Sequence, residues 1–308
     1  MTVLRLRGRM VARIDGAVVE LAELEGADVR PVDRFTLDTP VGWIELAPDG
    51  ESALVRDGDG GRAWWWRRGV GLAPLAAARD SRDRFGCGYV TVDGVSLVLV
   101  AQADRLRALD RSGEVRFEAD LGRPRRFQPS SFVELPGGRL ALHGHEPDDP
   151  FEVIVTVAVD RLARDPAAVH VALTTLAPVW DRSIELAIGP GPGTTAVVFR
   201  NPDGEEEPDD EDDDRPGGDV AAFTGFYLRD LATGALIERV PFAATVRGGT
   251  ILHASARAIL AFADRTLVSI DRATGTATAI GGTAPTFDRA SGQIARLDAA
   301  GRIELLAP

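Results

Sequence analysis

An all-β fold of repeated antiparallel hairpins is predicted by three features of the sequence. Asp230-Leu-Ala-Thr-Gly234 and Asp271-Arg-Ala-Thr-Gly275 repeat one turn 41 residues apart, each between two short strand-like runs. Elsewhere, runs that alternate apolar and polar residues end repeatedly at Gly, Asp or Pro, the residues that accept turn dihedrals. Helical periodicity is weak: residues 160–165 are stopped by Pro166, and residues 72–79 contain Pro74 and suit an outer strand equally well. A hairpin repeat of about 40–45 residues is the signature of a β-propeller blade. The expected architecture is one propeller domain over residues 1–308, with four-stranded antiparallel blades and a disordered acidic loop insertion at 203–219. Seven blades fit the spacing, and six is the competing count.

The elements follow from the turns in order. Residues 10–14 and 17–22 flank Asp15-Gly16; residues 41–46 and 52–56 flank Pro48-Asp49-Gly50; a second turn at Asp57-Gly-Asp-Gly-Gly61 leads into Arg62-Ala-Trp-Trp-Trp-Arg67. The third unit places 88–92 and 96–100 around Asp93-Gly94, then 106–109 and 114–117 around Asp110-Arg-Ser-Gly113. A fourth unit begins with 131–134 and 139–143 around Pro136-Gly-Gly138. From residue 280 only three runs fit, 283–287, 293–297 and 302–306, so residues 2–6 are expected to supply the missing strand of that last unit. Such closure would remove exposed sheet edges.

Composition narrows the class. Hydrophobic residues make up 44% and charged residues 27%, which is ordinary for a globular chain and excludes disorder of the whole. Of the net charge of -12, residues 201–219 contribute eleven acids and one arginine, leaving the remainder near neutral. No basic run is present, so nucleic acid is not an expected partner. All 35 basic residues are arginine, which leaves no lysine for Schiff-base chemistry. Cys87 is the single cysteine, so no disulfide forms within the chain. The opening residues 2–9 interrupt their apolar positions with arginine, unlike a signal peptide, and no run is long enough to span a bilayer. A soluble cytoplasmic protein with no membrane association is expected.

Two segments carry a family resemblance. Leu46-Ala-Pro-Asp-Gly-Glu-Ser-Ala-Leu-Val55, followed by Ala63-Trp-Trp-Trp-Arg67, resembles the first-to-second strand join and third strand of a WD-repeat blade. Tyr227-Leu-Arg-Asp-Leu-Ala-Thr-Gly-Ala-Leu-Ile237 resembles a third strand, turn and fourth strand. The pattern departs from WD-repeats proper: the only strict Trp-Asp dipeptide, Trp180-Asp181, falls where a first strand is expected, and the usual Gly-His pairs are missing from their places. The chain thus looks like a divergent bacterial WD-repeat-like propeller with short blades. That resemblance implies binding of a partner or ligand on the faces of a disc. It extends to bacterial propellers that accompany an AAA-type ATPase and a von Willebrand A-type protein; the expected partner is another protein whose identity is open, and the resemblance implies components of an ATPase-linked system as one option.

Candidate sites are few. Trp64, Trp65, Trp66, Arg67 and Arg68 have the composition of a protein-binding hot spot, although blade-to-blade packing also consumes aromatics. The ten carboxylates of residues 203–214, including Asp209, Asp210, Glu211, Asp212, Asp213 and Asp214, repel one another and bury nothing. They suit a solvating loop or a contact for a basic partner. His143 and His145, two apart on a strand and followed by Glu146, could face one metal ion, but no third ligand is identifiable. No metal and no cofactor is therefore assigned. His170 and His253 lie in apolar runs and read as packed residues. Asp57-Gly-Asp-Gly-Gly61 lacks a calcium loop's terminal glutamate, and Gly189-Pro-Gly-Pro-Gly193 lacks the Lys-Ser/Thr of a phosphate loop, so both read as turns. No nucleophile elbow, His-Glu-x-x-His or dinucleotide fingerprint is present. The expected function is a non-catalytic protein-binding scaffold. Two alternatives are a hydrolase or lyase with its site in the central channel, and a ligand-binding sensory propeller.

Overall fold

Turn chemistry sets the strand pairing. The computed structural model describes residues 2–25, 28–58, 61–77, 85–102, 105–120, 128–135, 139–145, 152–159, 171–175, 184–191, 194–199, 222–230, 236–247, 249–255, 257–263, 266–288 and 292–306. At Asp93-Gly94 both residues have positive φ, 51° and 72°, the mirror-image turn whose twist suits a two-residue hairpin. A second device recurs in longer turns: an aspartate folds back on the backbone. Asp110 Oδ1 accepts from Ser112 N–H at 2.9 Å, Asp271 Oδ1 from Thr274 N–H at 2.8 Å, and Asp298 Oδ1 from Ala300 N–H at 2.8 Å. Each is followed by a glycine at positive φ, namely Gly113, Gly275 and Gly301.

These turns order 27 strands into seven antiparallel sheets among the described residues. The first comprises β1 (Thr2–Arg7), β2 (Met10–Asp15), β3 (Val18–Glu25) and β4 (Asp28–Thr36), and the second β5 (Val41–Leu46), β6 (Ser52–Asp57), β7 (Arg62–Arg67) and β8 (Gly71–Ala77). The third holds β9 (Phe85–Val92), β10 (Val95–Gln102), β11 (Arg105–Leu109) and β12 (Val115–Asp120), and the fourth β13 (Gln128–Leu135), β14 (Arg139–His145), β15 (Glu152–Val159) and β16 (Val171–Thr175). Next come β17 (Ile184–Gly191), β18 (Thr194–Phe199), β19 (Ala222–Asp230) and β20 (Leu236–Arg247), then β21 (Gly249–Ala254), β22 (Ala258–Ala263), β23 (Thr266–Asp271) and β24 (Ala277–Ala279). The last sheet has three strands, β25 (Thr283–Phe287), β26 (Ile294–Leu297) and β27 (Ile303–Leu306). Within every sheet the strands lie in chain order. Residues 72–79 resolve as the outer strand β8 over Gly71–Ala77, and residues 160–165 lie outside the described residues.

The expected donation of residues 2–6 to the last sheet is corrected. β1 pairs with β2 in unbroken register from Thr2↔Asp15 to Arg7↔Met10 and belongs to the first sheet. Two residues, Gly8 at φ 55° and Arg9, close that hairpin, and so short a loop costs far less entropy than a pairing across the whole chain.

The chain falls into two compact units, Met1–Trp180 with Gly282–Pro308, and Asp181–Gly281. In the larger unit the sheets stack face to face. Leu4, Leu6, Val11 and Leu24 of the first sheet pack on Ala295 and Leu297 of the last. The opposite face, with Ala12, Val19 and Leu21, packs on Ile44, Val55 and Trp66 of the second. The second meets the third through Leu54, Trp65, Cys87 and Val98, and the third meets β15 through Val90, Leu99 and Val157. Middle strands are therefore buried on both faces, as with Ala53, Leu54 and Val55, each 0% exposed. Each large aliphatic side chain so buried contributes about 1.5–3 kcal/mol of transfer free energy. Outer strands are solvated: in β4 no residue is fully buried. In the smaller unit the first strands β17 and β21 are neighbours.

Candidate protein-binding face

β7 lies between two sheets, so its two faces have separate fates. Trp65 is 5% exposed and packs with Ala63 against Cys87 and Tyr89 of the third sheet. Trp66 is 1% exposed, packs into the first sheet, and donates its indole N–H to Asp33 Oδ2 at 2.6 Å. Trp64 is half-buried, with the Arg62 guanidinium 5.2 Å from its ring centre. Trp65 and Trp66 are internal, because a sheet sandwiched by neighbours buries both of its faces, and Trp64 is left half-buried.

Arg62 closes the far end of the strand. It bonds Asp57 Oδ2 at 3.1 Å, Asp38 Oδ2 at 2.8 Å and Thr39 Oγ1 at 3.2 Å, joining the loop after the first sheet to the β6–β7 turn. The hydrogen bond from Arg62 holds the Asp38 carboxyl below its ordinary value, and Asp38 in turn raises Arg62.

The near end gathers hairpin tips from three sheets. Arg67 stacks 4.8 Å from the Trp65 ring centre and donates to the Arg111 carbonyl at 2.9 Å. Arg68 reaches Glu23 at 3.4 Å, Glu51 at 3.3 Å and the Gly50 carbonyl at 3.3 Å. Arg111 closes the circuit on Glu51 at 2.8 Å. Exposed ion pairs contribute roughly 0–1 kcal/mol each, so this network fixes geometry more than it stabilises. Above it Val70 is 69% exposed at the β7–β8 turn, held there by Gly69 and Gly71 at φ 75° and 92°. Glu51, Val70 and Arg111 were not singled out from sequence. Val70 had a signal, a β-branched apolar residue in a Gly-Val-Gly turn where folding alone requires none.

The remaining expected sites are placed as follows. His143 and His145 fall on β14, opposite Ile154 and Glu152 of β15, while their side chains, Glu146 and residues 209–214 lie outside the described residues. Among the described residues no group of three or more His, Cys, Asp or Glu is placed to hold a metal. Burial pushes the Cys87 thiol up to about 12, which makes it a poor nucleophile. Burial likewise raises the Tyr89 hydroxyl, which shares a 2.9 Å hydrogen bond with Ser52.

No protein family and no curated protein matches the sequence. Solved structures do match the fold. The β-propeller domain of Cps50 (Swd1) from Myceliophteria thermophila aligns with a TM-score of 0.57 at 16% identity, over 91% of this chain and 83% of that one. This chain has the β-propeller fold. BBS1N, solved in complex with ARL6DN, aligns at 0.54 and 11% identity over 96% of this propeller and 86% of that chain. The dihydro-heme d1 dehydrogenase NirN, in complex with DHE, aligns at 0.53 and 13% identity over 99% of this propeller and 65% of that chain. The four-stranded antiparallel sheets read from the sequence agree with this fold. Among the described residues no helix is long and apolar enough to cross a membrane.

Proposed function

We propose that this propeller is a non-catalytic platform that binds another protein in the bacterial cytoplasm, through the hairpin tips around Val70. The observation that carries this reading is a 69%-exposed apolar side chain set over a fixed Arg67–Arg68–Glu51–Arg111 network. An apolar anchor ringed by ordered arginines matches the makeup of protein interfaces, which are enriched in Arg. The fold by itself does not choose, since the neighbours include a dehydrogenase as well as BBS1N in complex with ARL6DN. A component of an ATPase-linked system, as the sequence resemblance implies, is the partner we propose.

The test is affinity capture from the native cytoplasmic fraction with the intact chain and with Val70→Asp, beside a chain lacking residues 203–214. Val70→Asp leaves folding intact, because the side chain is already in water, and is expected to lower partner retention about tenfold or more, as loss of a central anchor does. Equal retention by Val70→Asp would remove the tip from the interface. Loss only with the deletion would move the contact to the acidic segment.

A further inference from the structure

Backbone strain is concentrated in β25. Thr283 pairs with Leu297 and Thr286 with Ala295, so Ala284 and Pro285 together stand opposite Arg296 alone, a β-bulge. Among the described residues, Asp93 and Ala284 are the two non-glycine positions at positive φ. Asp93 lies in a hairpin turn that requires such a dihedral. Ala284, at φ 49°, lies within a strand and directly before a proline, where extended backbone is favoured. A backbone of this kind persists only where its surroundings fix it.

The surroundings that fix it belong to the first sheet. Ala284 packs against the core that Leu4, Leu6 and Val11 form with Ala295 and Leu297. Just past the end of β25, Asp288 is 2% exposed: its Oδ2 accepts from the Gly8 N–H at 3.1 Å, and Arg7 Nη1 lies 3.8 Å from its Oδ1. A bulge resets which face the following residues present, so the strained backbone and this buried carboxylate are parts of one arrangement. The seam has less to hold it than the seam between the first and second sheets. Its core is six buried residues against eleven, and the cost of parting two faces scales with the apolar area that separates. Residues 37–40 tether the first sheet to the second, whereas Gly8 and Asp288 are 280 positions apart, and a long loop costs more entropy to close.

We infer that the seam between the first and last sheets is a latch. Asp288 clasps the β1–β2 turn at Gly8 and holds the strained Ala284-Pro285 bulge in place. When the clasp lets go the bulge relaxes, and the two sheets part here while the second and third stay packed on each other. The latch is independent of the tip at Val70.

The test reads thiol accessibility in the native full chain. Ala295→Cys places a thiol of nearly the same size in the seam, at a position 0% exposed, and the native Cys87, 2% exposed between the second and third sheets, is the internal control. Labelling of each is followed by peptide mass spectrometry and divided by the rate of the same thiol in denaturant. The thiol at 295 is expected to react at least about tenfold faster than Cys87, through an opening smaller than global unfolding. In the same background Asp288→Ala removes the acceptor of the Gly8 N–H and is expected to speed labelling at 295 about tenfold more, with Cys87 unchanged. Ala284→Gly relaxes the left-handed backbone and is expected to slow it about fivefold. Because that variant removes strain, it decides the matter even where Asp288→Ala fails to fold. Labelling at 295 as slow as at Cys87, no acceleration or an equal acceleration of both thiols in Asp288→Ala, or no slowing in Ala284→Gly overturns the inference.

Discussion

Replacing Trp66 by alanine tests whether the tryptophan run is interior. The side chain is 1% exposed and is surrounded by Met10, Val19, Leu21, Ile44 and Val55 from two sheets. Truncating a buried tryptophan costs about 3–5 kcal/mol, transfer and cavity terms together. The lost bond to Asp33 adds about 1 kcal/mol, at the low end because the exposed carboxylate returns to water. The sum, about 4–6 kcal/mol, lowers the thermal midpoint by roughly 10–20 °C in a unit of this size. Four of the five tryptophans, Trp43, Trp64, Trp65 and Trp66, lie on strands of the larger unit, so their emission follows that unit. Trp66→Phe keeps most of the volume and loses the bond, with an expected cost of about 1–2 kcal/mol. Trp64→Ala, starting half-buried, should cost less than Trp66→Ala. A Trp66→Ala loss below about 2 kcal/mol, or one no greater than that of Trp64→Ala, would refute the packing argument.

Three further outcomes follow from the packing and the turns. Gly42→Ala would place a Cβ 2.6 Å from the Asp57 carbonyl oxygen and 2.8 Å from Gly58 Cα, both backbone atoms, whereas Gly61→Ala meets nothing within 4 Å. Gly42→Ala is therefore expected to destabilise by about 1–3 kcal/mol in urea unfolding and Gly61→Ala by under about 0.5, and equal midpoints would contradict the register at the β5 bulge. The Thr274 backbone N–H, then its hydroxyl, lowers the Asp271 carboxyl below its ordinary 3.8, so this group's contribution is present above that value and is lost as pH falls through the depressed one. Asp271→Asn keeps the turn's acceptor without the titration, and circular dichroism melts should show the two proteins converging below pH 3.8; a gap that widens in acid would reverse the sign. Cys87, its thiol pushed up to about 12 chiefly by burial, should resist a thiol reagent at pH 8 for hours in the native chain and react at once in denaturant; rapid native labelling would show the second and third sheets parting.

Much of the fold was legible because its turns are chemically loud. Asp93-Gly94 and the Asp-x-x-Gly turns at 110 and 298 mark hairpins by the dihedrals that they require. β4 escaped notice for the opposite reason: Asp-Val-Arg-Pro-Val-Asp-Arg-Phe-Thr has no clean apolar alternation, since an outer strand has little to bury. β1 was assigned to the wrong sheet because alternation reveals a strand and leaves its partner open, a question that the two-residue loop at Gly8 decides. At the candidate site, composition drew attention to Trp64, Trp65 and Trp66. Parity alone could not show that neighbouring sheets cover both faces. The Glu51–Arg111 contact joins residues 60 apart in sequence, and nothing local in either turn signals it.

Face-to-face stacking also limits where this propeller can meet another molecule. A side chain in the middle of β6 or β7 lies between two cores, so changing it alters the stack before it alters a surface. Recognition is left to positions that stacking does not use, the hairpin tips and the outer strand edges. Val70 is such a tip, and it departs from what its local structure needs, an apolar residue in a glycine turn. Because it is not a core position, substitution there should separate binding from folding. A loss of stability at Val70→Asp comparable to that of Trp66→Ala would show that the division between core and surface drawn here is wrong at its most exposed point.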